Sequence, residues 1–357
     1  MSFDQSALSI STSQYVILGV AAFALTGLLT WPVRALAIRL GAMDAPNLAR
    51  KSQAEPVPYL GGVAIALGVS IVTFAALFFS EKDSVFIERG LTAIVPALSL
   101  GAIGLFDDLR SLPAWPRLVI QSVVGTVIAI ILVQTGTLGI AFSNDVINTV
   151  VTILWIVGIC NAINFFDNID GAASGTVAAA AFGVFFIAFD RGQELLSALT
   201  IVTAGATLGF VLWNKSPAKI YMGDAGALFL GVIISVATIR VNPGVEPSWK
   251  SLAIPVILLA VPLLDTCVAV FSRIARGISP LTGGMDHLSH RLVRGGLSRP
   301  IAVISLWSAS GVCTLLALAV YKYPDQWGTQ IITGFGFMWV LALVLFLRTR
   351  SADDVHP

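Results

Sequence analysis

Eleven apolar runs, each close to the length of a helix that crosses a bilayer, set the terms on which this chain can fold. They occupy roughly residues 15–31, 59–80, 90–106, 118–134, 147–166, 171–189, 195–213, 225–239, 251–272, 300–321 and 327–347. About 20 helical residues cross the roughly 30 Å of hydrocarbon. Within that layer every backbone N–H and C=O has to find a partner inside the protein, and a helix provides those partners locally. The reading is an all-α, polytopic membrane helix bundle of about eleven transmembrane helices, with the runs at 90–106 and 225–239 among the shortest. Hydrophobic residues form 56% of the chain and charged residues 11%, which excludes an ordinary soluble domain. A net charge of +1 offers no basic surface to nucleic acid.

No Lys or Arg precedes the first run, so it reads as an uncleaved span and not as a secretory signal. Cys160, Cys267 and Cys313 lie singly in apolar runs, as buried small hydrophobes do, and show no zinc or disulfide spacing. Residues 1–357 read as one integral membrane domain without internal repeats or low-complexity segments.

An odd number of spans puts the termini on opposite sides. Fifteen of the 21 Lys and Arg residues fall on the side of the C-terminus, among them Arg34, Arg50, Lys51, Arg117, Lys219, Arg273 and Arg291, and six fall on the other. The positive-inside rule then predicts an N-terminus outside and a cytoplasmic C-terminus. With that alternation, Asp107-Asp108 closes span three, Asp167 and Asp170 close span five, Asp224 opens span eight, and the His287–His290 segment joins spans nine and ten, all on the cytoplasmic side. Ionisable groups at membrane depth are costly unless paired, hydrated or bound to metal. Five carboxylates at one interface therefore point to a shallow polar site, against the alternative that each merely caps a helix.

Asn164, Asp167 and Asp170 step by three, which on a helix sets them on one face of hard oxygen ligands suited to Mg²⁺. The neighbours Asp107 and Asp108 point about 100° apart on a helix, so one can face a metal while the other serves as a base or holds a Lys or Arg. Asp224 stands between Gly223 and Gly226 at a span start, where it is an N-cap, a metal ligand, or the neighbour of N–H groups open to a phosphate. His287, His290 and Arg291 suit hydrogen bonding to phosphate better than zinc, because no third ligand is evident nearby. Arg50 and Lys51 can neutralise a diphosphate, although topology alone also asks for basic residues there. Asp265, inside span nine, either pairs with a neighbouring helix or reaches the site.

From about Asp44 to about Arg299 the chain resembles the polyprenyl-phosphate N-acetylhexosamine-1-phosphate transferases, which include the phospho-N-acetylmuramoyl-pentapeptide translocases. The resemblance is carried by Asp44-Ala45-Pro46-Asn47 with Arg50-Lys51, Pro58-Tyr59-Leu60-Gly61-Gly62, Phe106-Asp107-Asp108, Asn161 to Gly171, Gly223-Asp224-Ala225-Gly226, Pro262-Leu263-Leu264-Asp265-Thr266 and Asp286-His287-Leu288-Ser289-His290-Arg291-Leu292. It implies an enzyme, dependent on Mg²⁺ with Mn²⁺ able to substitute, that moves a sugar 1-phosphate from a UDP-sugar to polyprenyl phosphate at the cytoplasmic face of the cell membrane and releases UMP. Asp224, with Asp167, is assigned to the metal; Asp107, Asp108, Asp167 and Asp170 to catalysis; Lys51, Asn164, His287, His290 and Arg291 to substrate.

The family's His-x-His-His-Arg pattern reads His287-Leu288-Ser289-His290-Arg291 here, and its Arg-Lys-x-His reads Arg50-Lys51-Ser52-Gln53. The longer histidine-rich run typical of the pentapeptide branch is missing, so a GlcNAc-like donor that starts a cell-envelope glycan is the preferred expectation. UDP-MurNAc-pentapeptide or another UDP-N-acetylhexosamine is the alternative within this chemistry. A transporter is the alternative outside it, but it would place its site near the bilayer midplane between repeated halves. The sequence does not fix an oligomeric state and allows a homodimer.

Overall fold

A computed structural model describes residues 10–44, 56–79, 84–110 and 112–349. Of the thirteen α-helices among them, ten are long and apolar enough to cross a membrane, and a bent pair passes the same test jointly as one more candidate span. In order they are α1 (Thr12–Arg39), α2 (Gly61–Phe78), α3 (Ser84–Arg110), α4 (Ala114–Gln134), α5 (Asp145–Phe166), α6 (Ala172–Asp190), α7 (Glu194–Asn214), α8 (Gly223–Arg240), α9 (Ser248–Leu258), α10 (Ala260–Ala275), the short α11 (Leu288–Arg294), α12 (Arg299–Lys322) and α13 (Thr329–Arg348). The all-α membrane bundle expected from the apolar runs is the fold observed.

The ninth run is broken. α9 and α10 meet at 72°, and the cause lies in the sequence. Pro255 and Pro262 both lack an N–H, and the Pro262 ring would clash with the carbonyl of Leu258 in a continuous helix. In the first turn of a fresh helix the same proline is tolerated, because the N–H it lacks would have no partner within the helix.

α8 is the central helix, buried without interruption from Ala225 to Thr238, and it packs against α3, α5 and α2. Glycines make the close approaches. A Cβ on Gly62 would lie 2.0 Å from the Gly226 nitrogen, and one on Gly104 would lie 2.4 Å from the Asp224 carbonyl oxygen. α1 leans on α7 in the same way, since a Cβ on Gly205 would come within 2.1 Å of the Gly19 carbonyl. Between lipid-facing helices, where burial gives little driving force, such backbone proximity is a principal source of attraction. α13 lies at the rim and buries no residue.

A short antiparallel pair, β1 (Met43–Asp44) with β2 (Val57–Pro58), follows α1. It delivers the chain to the start of α2, where the N–H groups of Gly61 and Gly62 donate to the carbonyls of Tyr221 and Met222 at 2.9 and 2.8 Å. Leu60 is held at φ 99° to make this turn, a left-handed conformation that costs an L-residue about 1–2 kcal/mol. Two otherwise orphaned N–H groups of α2 are thereby satisfied, and the entrance to α8 is pinned beside it.

Candidate active site

The five acidic residues singled out in the sequence come together at one end of the bundle. α3 brings Asp107 and Asp108, the turn after α5 brings Asp167 and Asp170, and the first turn of α8 brings Asp224. Asp108 accepts from the backbone N–H groups of Asp224 and Ala225 at 2.9 and 3.1 Å, so it is a carboxylate cap on the positive end of the central helix. Gly223, at φ +73°, allows that approach, because a Cβ there would stand 2.7 Å from Asp108 Oδ2. The N–H groups that could have been open to a phosphate are thus occupied by a side chain.

Asp107 accepts from the Leu112 N–H and from Arg117 Nη1, both at 2.5 Å. The same Arg117 nitrogen lies 2.6 Å from Asp224 Oδ2, and Asn164 Nδ2 donates to Asp224 Oδ1 at 2.7 Å. Sequence reasoning counted Arg117 only for topology. Its place in the first turns of α4, where a cation opposes the helix dipole, was the available signal that its charge is needed elsewhere.

The single-face reading of Asn164, Asp167 and Asp170 does not hold. α5 ends at Phe166, Asp167 turns out of the helix at φ −79° and ψ 49°, and Gly171 at φ +79° starts α6. Asn168 reaches back to the Phe165 carbonyl at 2.7 Å, closing the helix end. Only Asn164 therefore projects from helix, while Asp170 accepts from the Ala218 N–H at 3.0 Å. The turn still returns the carboxylates to the same place.

Among the described residues Asp167 is the one member of the five whose carboxylate accepts no hydrogen bond and forms no ion pair. Burial, with the nearby carboxylates of Asp224, Asp108 and Asp170, pushes it up to about 8. No three His, Cys, Asp or Glu groups among the described residues converge into a protein-only metal cage. Mg²⁺ does not require one, since it keeps waters and takes one or two carboxylates together with substrate phosphates. A free, proton-retaining carboxylate beside Asp224 fits that demand.

The histidine segment is organised by residues the sequence left unassigned. Asp265, fully buried on α10, accepts from His287 Nδ1 and from the Leu288 N–H, both at 2.7 Å. Arg273 Nη2 stands 3.1 Å from His287 Nε2. Arginine only donates, so Nε2 accepts and the proton sits on Nδ1, facing Asp265. Both ring nitrogens of His287 are therefore used within the protein. Asp286 is also fully buried, and Arg273 grips it with two nitrogens at 2.9 and 2.8 Å while Arg276 adds a third contact at 2.7 Å. Burial alone would raise it, but the Arg273 guanidinium holds Asp286 below the usual carboxylate range. Ser289, standing where the family pattern has an imidazole, donates to Asn168 Oδ1 and so ties this segment to the turn after α5.

Arg291 turns away from the carboxylates. It donates to the carbonyls of Asp286, Phe346 and Thr349 and to Ser272 Oγ, fastening α11 to the end of α13. His290 is different, because its ring nitrogens have no hydrogen-bond partner among the described residues. Burial above all, with Arg294 also contributing, lowers it to about 4, so at neutral pH it is an uncharged group able to donate one hydrogen bond. Lys51 and Arg50 lie outside the described residues.

Similarity to known proteins places this integral membrane bundle, with its polar groups gathered at one end, in the phosphotransferase or glycosyltransferase class. The chain belongs to glycosyl transferase family 4, whose sequence pattern matches residues 91–242 and so spans all five acidic residues. A probable undecaprenyl-phosphate N-acetylglucosaminyl 1-phosphate transferase of Bacillus subtilis is 33% identical over 91% of this chain and 88% of its own. A decaprenyl-phosphate N-acetylglucosaminephosphotransferase of Mycolicibacterium smegmatis is 29% identical over 99% and 93%. A phospho-N-acetylmuramoyl-pentapeptide-transferase of Streptococcus thermophilus is 29% identical over 85% and 95%.

Proposed function

We propose that this protein transfers N-acetylglucosamine 1-phosphate from UDP-N-acetylglucosamine to a polyprenyl phosphate at the cytoplasmic membrane face, releasing UMP. The observation that carries the reading is the unpartnered Asp167 carboxylate among four other acidic groups, at the end of a membrane bundle where a lipid phosphate and a soluble nucleotide can meet. The names of the relatives, two of which specify N-acetylglucosamine and a polyprenyl phosphate, support the same substrates.

In this reading an oxygen of the lipid phosphate forms a bond to the donor's sugar-linked phosphorus as the bond to UMP breaks. The acceptor is already largely ionised at neutral pH, since a phosphomonoester's second pKa is near 6, and direct attack needs no covalent enzyme intermediate. Asp107 orients the acceptor or takes its remaining proton. Asp167 and Asp224 would hold Mg²⁺, which supplies charge neutralisation to the diphosphate. His290 donates to the donor phosphates, and Asn164 keeps Asp224 in orientation. His287 acts through its neighbours, as the link between Asp265 and Arg273.

The test is UMP release by the purified protein with polyprenyl phosphate and Mg²⁺, offered UDP-N-acetylglucosamine, UDP-N-acetylgalactosamine or UDP-MurNAc-pentapeptide in turn. UMP from the first donor is the expected result. Turnover with the pentapeptide donor alone would replace the sugar in this reading, and no turnover with any donor would remove it.

Divalent-cation affinity should depend on pH in a defined direction. Below about 8 the ion competes with the proton on Asp167, so Mn²⁺ affinity should rise by up to about tenfold per unit between pH 6 and 8 and level off above. His290, already neutral in that window, adds nothing to the slope. Calorimetric titration at three pH values without substrates measures this, and a flat profile would take Asp167 out of the cation position.

Sidedness has its own measurement. Single cysteines at exposed Ser84 and Ser279 in a cysteine-free background should react oppositely with an impermeant maleimide applied to intact cells. Ser84 should label and Ser279 should not. The reverse pattern would place the site outside.

A further inference from the structure

We propose that Arg117 is the resident counter-ion of the cation position, displaced from Asp224 when a divalent cation binds. This inference rests on the cation reading given under the proposed function.

The geometry that points to it is a one-nitrogen bridge. Arg117 Nη1 lies 2.5 Å from Asp107 Oδ2 and 2.6 Å from Asp224 Oδ2, joining carboxylates carried by α3 and α8. Arginine held by a carboxylate for structure commonly presents two parallel N–H groups to it, as Arg273 does to Asp286. Arg117 does not. Its Nε and Nη2 find no acceptor among the described residues, and its side chain is 24% exposed. One nitrogen placed between two oxygens acts as a point charge, the role a small cation would fill.

The surroundings give the same answer. Among the described residues Arg117 is the sole cation paired with either Asp107 or Asp224. Without it, two carboxylates and the neighbouring Asp108 would face one another at membrane depth with no balancing charge, a costly arrangement. Asp224 Oδ1 is engaged with neutral Asn164, so a divalent ion that takes Asp224 as a ligand meets Arg117 at Oδ2. Two cations directed at one carboxylate oxygen compete, and the weaker, partly exposed monovalent contact yields. Arg117 therefore keeps the empty site folded and lowers its apparent affinity for the ion. By linkage, removing the arginine strengthens cation binding.

Equilibrium binding of Mn²⁺ to the full-length protein in detergent, followed by electron paramagnetic resonance of the free ion without substrates, tests this apart from activity. Arg117→Gln should bind Mn²⁺ about ten- to a hundredfold more tightly than the unaltered protein, the worth of one lost charge-assisted competitor. Its thermal midpoint should be lower without the ion and should rise more on adding it. Arg117→Lys, which keeps the charge, should bind within a few-fold of the unaltered protein.

Equal or weaker binding by Arg117→Gln, with normal binding by the unaltered protein, overturns the inference and leaves the cation reading intact. No saturable binding by the unaltered protein overturns the cation reading and this inference with it. Should Arg117→Gln fail to fold, hydrogen exchange in the unaltered protein decides. The segment 112–118 should exchange faster when Mn²⁺ is added, because the start of α4 loses its tie to α8, and slower or unchanged exchange there would overturn the proposal.

Discussion

Asp167→Asn should lower UMP release by about a hundred- to a thousandfold, the scale on which single electrostatic stabilisers of a transition state act, while the cation-free protein becomes more stable above pH 8. The sign follows from the proton balance. A carboxyl raised from 3.8 to about 8 in the folded chain binds its proton more tightly there than when unfolded. Folding stability is then lost progressively as pH rises through that interval, and above it the full penalty of a buried, unpaired charge remains. Asparagine removes the penalty, so the thermal midpoint at pH 9 should rise by a few degrees, about 2–4 °C for each kcal/mol in a chain of moderate size. Asp224→Asn should lose a similar amount of activity. Activity assays paired with melting curves at pH 6 and 9 read both quantities. Near-normal turnover in either variant would remove that residue from the chemistry.

Gly104→Ala should be nearly as damaging, though it touches no polar side chain. The added methyl would sit 2.4 Å from the Asp224 carbonyl oxygen and 2.7 Å from the Ala225 nitrogen, closer than van der Waals contact permits. α3 and α8 have to part, and the Asp108 cap on α8 loosens with them. Overpacking of this kind costs about 1–3 kcal/mol, and a displacement of about 1 Å at reacting groups costs on the order of a hundredfold in rate. Gly158→Ala, on α5 with no atom within 4 Å of the new methyl, should behave as the unaltered protein does. Comparable turnover in the two variants would show that the α3–α8 spacing does not set the site.

The fold was largely legible because lipid leaves a chain few choices. Each apolar run at 15–31, 59–80 and onward became a helix, and even the break in the ninth lies beside two visible prolines. Gathering five carboxylates at one end followed from alternation of the spans. Long-range pairings did not follow from anything in the sequence. Asp265 and His287 are 22 residues apart, and Asn164 and Asp224 are 60; which side chain meets which is decided by helix rotation and tilt, and these depend on packing details such as the Gly62–Gly226 contact. The three-residue stepping of Asn164, Asp167 and Asp170 suggested a helical face, but Asn168 and Gly171 end the helix first. Arg291 and His287 have the composition of phosphate ligands and are spent inside the protein, whereas Arg117, set aside as a topological charge, stands among the carboxylates.

The attachment of Arg291 to the end of α13 has a consequence for how the protein is made. A ribosome delivers the chain from its N-terminus, so every acidic residue of the site has been synthesised before Phe346 and Thr349 exist. Until α13 is in place, the guanidinium between α10 and α11 lacks the carbonyls that complete its hydrogen bonds. A chain cut before Thr329 would hold all five carboxylates and the ties of the histidine segment to Asp265 and Asn168, and lack the Arg291 contacts that join α11 to α13. The tie between α11 and this rim helix is thus the part of the histidine segment's bonding whose partners are synthesised last.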